Sequence, residues 1–387
     1  MSGFSLRPDA LGVQDLFRFL RDLDLDCDVN PCAAWIGTLD PACAADPAGL
    51  LRFARELGLT HALANLLGRD EAETAATVVL HETLLDGDTD RLAETVSDYH
   101  NSRPLRLDEA VHIAMWPHAD GEHVVFVKMN HMVVDLSDAL AVLKAIRAQV
   151  QGKPTRPVAG RYRDHAALLA RYAALPPADP ALVEHELGEL PVPGRKGIPT
   201  IAATDEQWLP LRRGISFDEL LSAVTDTVLR NIGGGLVLQY PVSRWDFARK
   251  GGYFAEIKPL VVRGELASDY TPEYFRQKRE FYDSLGRFTV SDLKTFGAAC
   301  GRCRMPRIVV SDTTLMRPEP GRWRWIPVRS RRMFEDLKFL ADRSLPGPPL
   351  LRLQYKRAFL PTEDARNILG ELEERVGSRS GPVKTAQ

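Results

Sequence analysis

The feature that most limits how this chain can fold is a strand, a turn, a second strand and a polar loop that lead without interruption into a helix. Val111-His-Ile-Ala-Met-Trp116 alternates like a strand. Residues 117–121, Pro-His-Ala-Asp-Gly, carry turn chemistry, and His123-Val-Val-Phe-Val-Lys-Met129 is dense in β-branched and apolar side chains, so a hairpin is predicted. The period then changes. Residues 137–146 space their apolar side chains as a helix does, with Ser137 or Asp138 able to cap the first turn. Residues 130–136 therefore occupy a strand-to-helix connection, where a rigid scaffold can present polar side chains to a ligand.

A length of 387 residues, 44% of them hydrophobic, excludes a disordered chain and suits two folding units or one two-lobed body. Lys+Arg number 50 against 52 Asp+Glu, and no long basic block exists, which argues against a nucleic-acid partner. No apolar run is long enough to span a membrane, and MSGFSLRPDALG has neither a basic nor an apolar leader region, so a cytoplasmic protein without membrane contact is expected. Cys27, Cys32, Cys43, Cys300 and Cys303 are odd in number and are expected to be free thiols.

Pro- and Gly-containing stretches at 151–160 and 174–199 mark the crossing between halves, with a boundary near 180. The expected lobes are 1–180 and 181–376, followed by a disordered tail, 377–387. In the second lobe the patterns predict helices at 217–232, 272–285 (capped by Thr271), 291–299 (capped by Ser291) and 362–376. Strands are predicted at 236–240, 253–263, 307–312 and 350–355. The first half opens on short helical patterns ahead of the hairpin. Strands and helices alternate in both halves, so the class is α/β or α+β.

Within Asn130-His131-Met-Val-Val-Asp135-Leu136-Ser137, a histidine precedes an aspartate by four positions on the turn leaving an apolar strand. That arrangement can place an imidazole at a cavity while the carboxylate turns back to brace the loop, which suits a general base with a structural anchor. Most histidines spaced this way are ordinary surface or core residues, so the surrounding segments decide.

Those segments, in order, resemble the condensation domains of nonribosomal peptide synthetases, within the chloramphenicol acetyltransferase-like acyltransferases. Asn130 to Leu136 is similar to the HHxxxDG signature. Ser102-Arg-Pro-Leu-Arg-Leu-Asp108 is similar to the segment ahead of the hairpin, and Tyr162-Arg-Asp164-His165 to YxDF. Tyr240-Pro-Val-Ser-Arg244 and then Gly251-Gly-Tyr-Phe254-Ala-Glu-Ile-Lys-Pro-Leu260 resemble GxPxxxR followed by GxFxNxxPLR. Phe334-Glu-Asp336-Leu337 and Leu353-Gln-Tyr355 resemble the closing DLxL and LxY strands.

The resemblance implies two chloramphenicol-acetyltransferase-like lobes in a V-shaped pseudodimer with a central tunnel. A peptidyl carrier protein would deliver a thioester on its phosphopantetheine arm, and a small-molecule amine would meet it at His131. No bound cofactor or metal is implied, and a monomer is expected. By the same resemblance Asp135 pairs with Arg244 to order the loop, and Asn130 has a positioning role. The departures are specific. Asn130 replaces the first histidine and Leu136 the glycine, so a left-handed backbone there would be strained. Glu256 or a neighbour replaces the asparagine of GxFxNxxPLR, the RHExLR segment is not recognisable near Gly58-Leu-Thr-His61, and a free-standing protein that has either lost the chemistry or does it differently is expected.

Ala299-Cys300-Gly-Arg302-Cys303-Arg304 offers such an alteration. A thiolate is the nucleophile in cysteine chemistry, and Arg302, Arg304 and Arg307 are cations of the kind that lower a thiol pKa. Cys300 facing His131 would form a pair able to accept an acyl group and pass it to an amine. A buried structural thiol and half a zinc site are the alternatives, and a lone CxxC speaks against zinc. A degenerate HHxxxDG with a candidate cysteine is similar to the condensing enzymes of lincosamide biosynthesis, of the lincomycin and celesticetin type. That likeness implies a proline or alkylproline donor and an amino thio-octose bearing ergothioneine as acceptor. A His-dependent acyltransferase without covalent intermediate and an inactive partner-recruiting scaffold are the rivals. His112, His118 and His123 are explained by the hairpin, and Trp323 and Trp325 by a strand with one apolar face rather than base stacking. Gly233 to Gly235 precede a strand and so form no phosphate loop.

Overall fold

The computed structural model describes residues 30–155, 158–187, 190–243, 251–252, 255–263, 269–287, 300–312, 324–342 and 349–377. Expectations placed on Cys27, Arg244, Tyr253, Phe254, residues 291–299, Trp323 and the tail beyond Gly377 lie outside the described residues. In chain order the strands are β1 (Cys32–Thr38), β2 (Ala75–Leu80), β3 (Glu109–Pro117), β4 (Glu122–Met129), β5 (Ala202–Pro210) and β6 (Leu236–Ser243). They continue as β7 (Ala255–Val262), β8 (Ile308–Asp312), β9 (Arg324–Ile326), β10 (Arg332–Met333), β11 (Leu337–Asp342) and β12 (Leu350–Lys356). They form a five-stranded sheet, β2-β3-β4-β1-β9, and a seven-stranded sheet, β10-β5-β12-β11-β8-β6-β7. With helices packed on both, the architecture is mixed α/β.

The predicted hairpin is present: β3 and β4 pair antiparallel, Val111 opposite Met129 and Pro117 opposite His123. One face of this sheet is built by period-two residues, Ala114 and Trp116 of β3, Val124 and Phe126 of β4, Ala34 and Ile36 of β1, covered by Leu92, Ala93 and Val96 of helix Thr89–Ser102. Nearly all of β3 is buried, so the other face is covered too. Lys128 is fully buried on β4, where its Nζ donates to the carbonyls of His100 (2.8 Å) and Arg103 (2.6 Å). A cation there satisfies carbonyls that a helix C-terminus leaves unpaired. Helical patterns were expected ahead of the hairpin, and helices Pro47–Glu56 and Leu59–Leu67 are present, but β1 and β2 share that stretch. β1 pairs antiparallel with β4, and β2 runs parallel to β3 at the edge. On β9, Trp325 packs edge-on against Trp35, with ring centroids 5.8 Å apart, and Arg324 pairs with Glu122, so the indole serves packing.

In the second sheet β8 runs parallel to β6 and β11, and β12 lies antiparallel between β11 and β5. Helices Phe217–Ile232 and Thr362–Val376 match their predicted bounds and pack on each other, the first opened by a capping box between Ser216 and Glu219. Two compact units result. One takes residues up to Pro176 with Val242–Glu256 and Pro320–Arg332; the other takes Pro177–Pro241, Ile257–Glu319 and residues from Met333 onward.

Candidate active site

At the end of β4 the chain turns sharply, and Asn130 makes the turn. Its Nδ2 donates to the Glu109 carbonyl (3.1 Å), its Oδ1 accepts from the Met132 amide (3.1 Å), and its own amide donates to the Ala110 carbonyl (2.9 Å). The residue at the first motif position is thus buried and occupied by backbone. His131 follows, half-buried. Its amide donates to Asn30 Oδ1 at 3.0 Å, and its ring Nδ1 lies 2.9 Å from the Val134 carbonyl. A carbonyl oxygen only accepts, so Nδ1 carries the proton and Nε2 holds the basic lone pair. That tautomer is the one a general base needs if it is to work through Nε2.

Asp135 is buried and caps helix Leu136–Val150, its Oδ1 accepting from the Asp138 amide at 2.9 Å. The cap is therefore Asp135, not Ser137 or Asp138, because the helix begins one residue earlier than its apolar period indicates. Leu136 is the first helical residue, so the left-handed backbone that would strain a leucine does not arise. Arg244, the expected partner of Asp135, lies outside the described residues. An arginine does reach this loop from another place: Arg161 Nη1 donates to Asp138 Oδ1 at 3.1 Å. The opposite oxygen of Asp138 accepts from the Gly252 amide at 2.8 Å. Burial and the neighbouring Asp135 push the Asp138 carboxyl up to about 7, against the lowering effect of Gly252 and Arg161. Tyr162 lies against the same cluster, fully buried, its hydroxyl without a hydrogen-bond partner among the described residues.

Cys300 lies in the other unit, within the helical residues 300–303, and is partly exposed. Burial pushes its thiol up to about 12, Cys303 acts in the same direction, and Arg307 acts against them. Among the described residues desolvation outweighs the lowering effect of Arg307, which runs against the expected thiol activation by flanking arginines. Arg307 is directed elsewhere: its guanidinium sits 3.6 Å from the Phe334 ring centroid and donates to the Ile198 carbonyl at 3.0 Å. Glu256 is buried and accepts from the Tyr172 hydroxyl at 2.5 Å.

Solved structures share this arrangement of sheets and helices. The epimerization domain from the third module of tyrocidine synthetase B superposes with a TM-score of 0.60 at 16% identity, over 95% of this chain and 95% of that one. The starter condensation domain of rhizomide synthetase in complex with C8-CoA gives 0.63 at 12% identity, over 95% and 94%. The chain has the condensation-domain fold. The X-domain from teicoplanin biosynthesis, solved in complex with OxyB, has the same fold, with a TM-score of 0.59 at 14% identity over 95% of this chain and 93% of that one. No family model matches the sequence, and no curated protein matches it.

Within this condensation-domain fold, Asn30, Asp138 and Arg161 belong to the loop's surroundings and were not singled out as site residues from the sequence. Asn30 is 101 positions from His131, and no local pattern connects them. Among the described residues no group of three or more His, Cys, Asp and Glu side chains is placed to hold a metal. No helix among them is long and apolar enough to cross a membrane.

Proposed function

We propose that this chain is an acyltransferase that forms an amide, moving an aminoacyl group from the phosphopantetheine thioester of a carrier protein to an amine, with His131 as general base. The observation that carries the proposal is the hydrogen bond from His131 Nδ1 to the Val134 carbonyl, which directs the basic lone pair to Nε2. In the reaction the amine nitrogen attacks the thioester carbonyl, Nε2 removes a proton from it, the C–N bond forms and the C–S bond breaks. The departing sulfur takes up the proton. The thioester is already activated, so holding donor and amine together supplies much of the acceleration, an effect worth ~7–11 kcal/mol in well-oriented systems. A prolyl or alkylprolyl donor and an amino-sugar acceptor of the lincosamide kind are the substrates carried over from the sequence resemblance.

Direct attack is preferred to a Cys300 acyl-enzyme because a thiol held at about 12 is almost wholly protonated at neutral pH. The test mixes prolyl-loaded carrier protein and an amine with wild type, His131→Ala and Cys300→Ala, followed by intact-protein mass spectrometry and product analysis. Amide from wild type and Cys300→Ala, with His131→Ala slower by ~10²–10⁴, is the expected result. An aminoacyl adduct on the wild type that disappears in Cys300→Ala would establish the covalent route instead.

One observation favours a second reading. Asn130 is wholly engaged with backbone, and the fold also serves the X-domain, which is solved with OxyB bound. A scaffold that recruits a partner protein would show binding without turnover in the same assay.

A further inference from the structure

We propose that Asp138 is a positioning residue for the His131 loop: its carboxylate ties the first turn of the helix leaving that loop to Arg161 and to the backbone of Gly252. The inference deepens the proposed function and rests on His131 being the base. Asp138 is held through both its backbone and its side chain. Its amide donates to Asp135 Oδ1 (2.9 Å), which sets the start of the helix one turn from His131. Its Oδ1 accepts from Arg161 Nη1 (3.1 Å), 23 positions away, and its Oδ2 from the Gly252 amide (2.8 Å), 114 positions away. Two stretches remote in sequence thus converge on one buried carboxylate, all within one compact unit.

The glycine pair is shaped for this approach. Gly251 has φ +74°, and a Cβ there would fall 2.5 Å from the Arg161 carbonyl oxygen; Gly252 has φ +135°. Only residues without a side chain let the backbone come close enough for the Gly252 amide to reach Asp138. The carboxylate is an expensive choice for a merely structural tie. Burial and Asp135 both oppose its ionisation, Arg161 and Gly252 only partly offset them, and the Tyr162 phenol beside it stays neutral. An acceptor that must hold both a guanidinium and an amide explains it. Moving this turn would move Asp135, and with it the Val134 carbonyl that sets the His131 tautomer.

The test compares full-length wild type, Asp138→Ala, Asp138→Asn and Arg161→Gln by steady-state acyl transfer and by hydrogen exchange of the peptide spanning 251–256. Asp138→Ala is expected to lower kcat by roughly 10- to 100-fold, the scale of a displaced catalytic group, with KM little changed. It should also speed exchange in 251–256. Asp138→Asn keeps an acceptor for the Gly252 amide and should restore most of both readouts. Arg161 is about one-third exposed, so Arg161→Gln probes the clamp without emptying a buried site and should reproduce the exchange change in milder form. Wild-type kcat and exchange in Asp138→Ala would overturn the proposal, and so would an Asp138→Asn variant no better than Asp138→Ala. If wild type transfers no acyl group, the proposed function fails, while exchange in 251–256 still decides whether the clamp exists.

Discussion

The His131 amide donates to the Asn30 side chain, and its ring Nδ1 donates to the Val134 carbonyl. Its geometry is therefore set by the loop's own backbone together with a residue remote in sequence. Asp135 is the residue that starts the helix behind it, and losing a carboxylate cap of this kind costs about 0.5–2 kcal/mol. Asp135→Ala should show at least that loss in chemical denaturation, while Asp135→Asn retains a cap acceptor and should stay close to wild type. At Cys300 the opposite quantity is measurable. With its thiol held at about 12, alkylation by iodoacetamide at pH 7.5 should be slower than that of a free cysteine peptide and should rise steeply with pH. Rapid labelling at pH 7.5, read by peptide mass spectrometry, would contradict the burial argument.

Among the elements, the hairpin and the three helices with matching or nearly matching bounds were legible because each carries its own period, and two of the helices a capping side chain as well. Thr271 caps helix Pro272–Ser284 and Ser216 caps Phe217–Ile232, as short-range chemistry requires. β1 and β2 were not legible. CAAWIGT is buried at its centre and AATVVL lies at a sheet edge, and neither shows the alternation that marks a strand with one wet face. Their pairing with β4 and β3 creates them. Gly251 is an element-scale constraint of the same origin. Gly251→Ala should destabilise the unit by about 1–3 kcal/mol through its left-handed backbone alone, and more through the contact with Arg161. A thermal melt compared with Gly301→Ala, a site with open space around its Cβ, would separate that effect from a general sensitivity to side chains at glycine.

For the whole molecule, buried titratable groups set the response to acid. Burial, aided by His61, lowers the His165 pKa to about 4, so the unfolded chain takes up a proton first and stability is lost as pH falls from 6.5 toward 4. Burial acts to raise Glu109, but hydrogen bonds from His112, Thr77 and the Arg106 amide, with the Arg103 charge, hold it at about 2. Its contribution is present above 4.5 and disappears as pH falls toward 2. Asp138 has the reverse sign: its pKa is raised to about 7, so its contribution grows as pH falls through 7 toward 3.8. Urea unfolding from pH 8 to pH 3 should therefore show Glu109→Gln removing part of the acid loss. Asp138→Asn should remove the gain between pH 8 and pH 6, and a profile unchanged by either substitution would refute the assignments.

What the sequence determined by itself was local: the hairpin, the helices with caps, the class of fold and the His131 loop with its aspartate. These follow from periods of two and 3.6 residues and from turn and cap chemistry, which act over a few positions. Only the tertiary structure decided which groups meet. Asn30 reaches His131 across 101 positions and Asp138 reaches Gly252 across 114, and neither separation leaves a periodic trace. Burial decided Cys300 as well, because a thiol's pKa depends on the water it has lost as much as on the arginines written beside it.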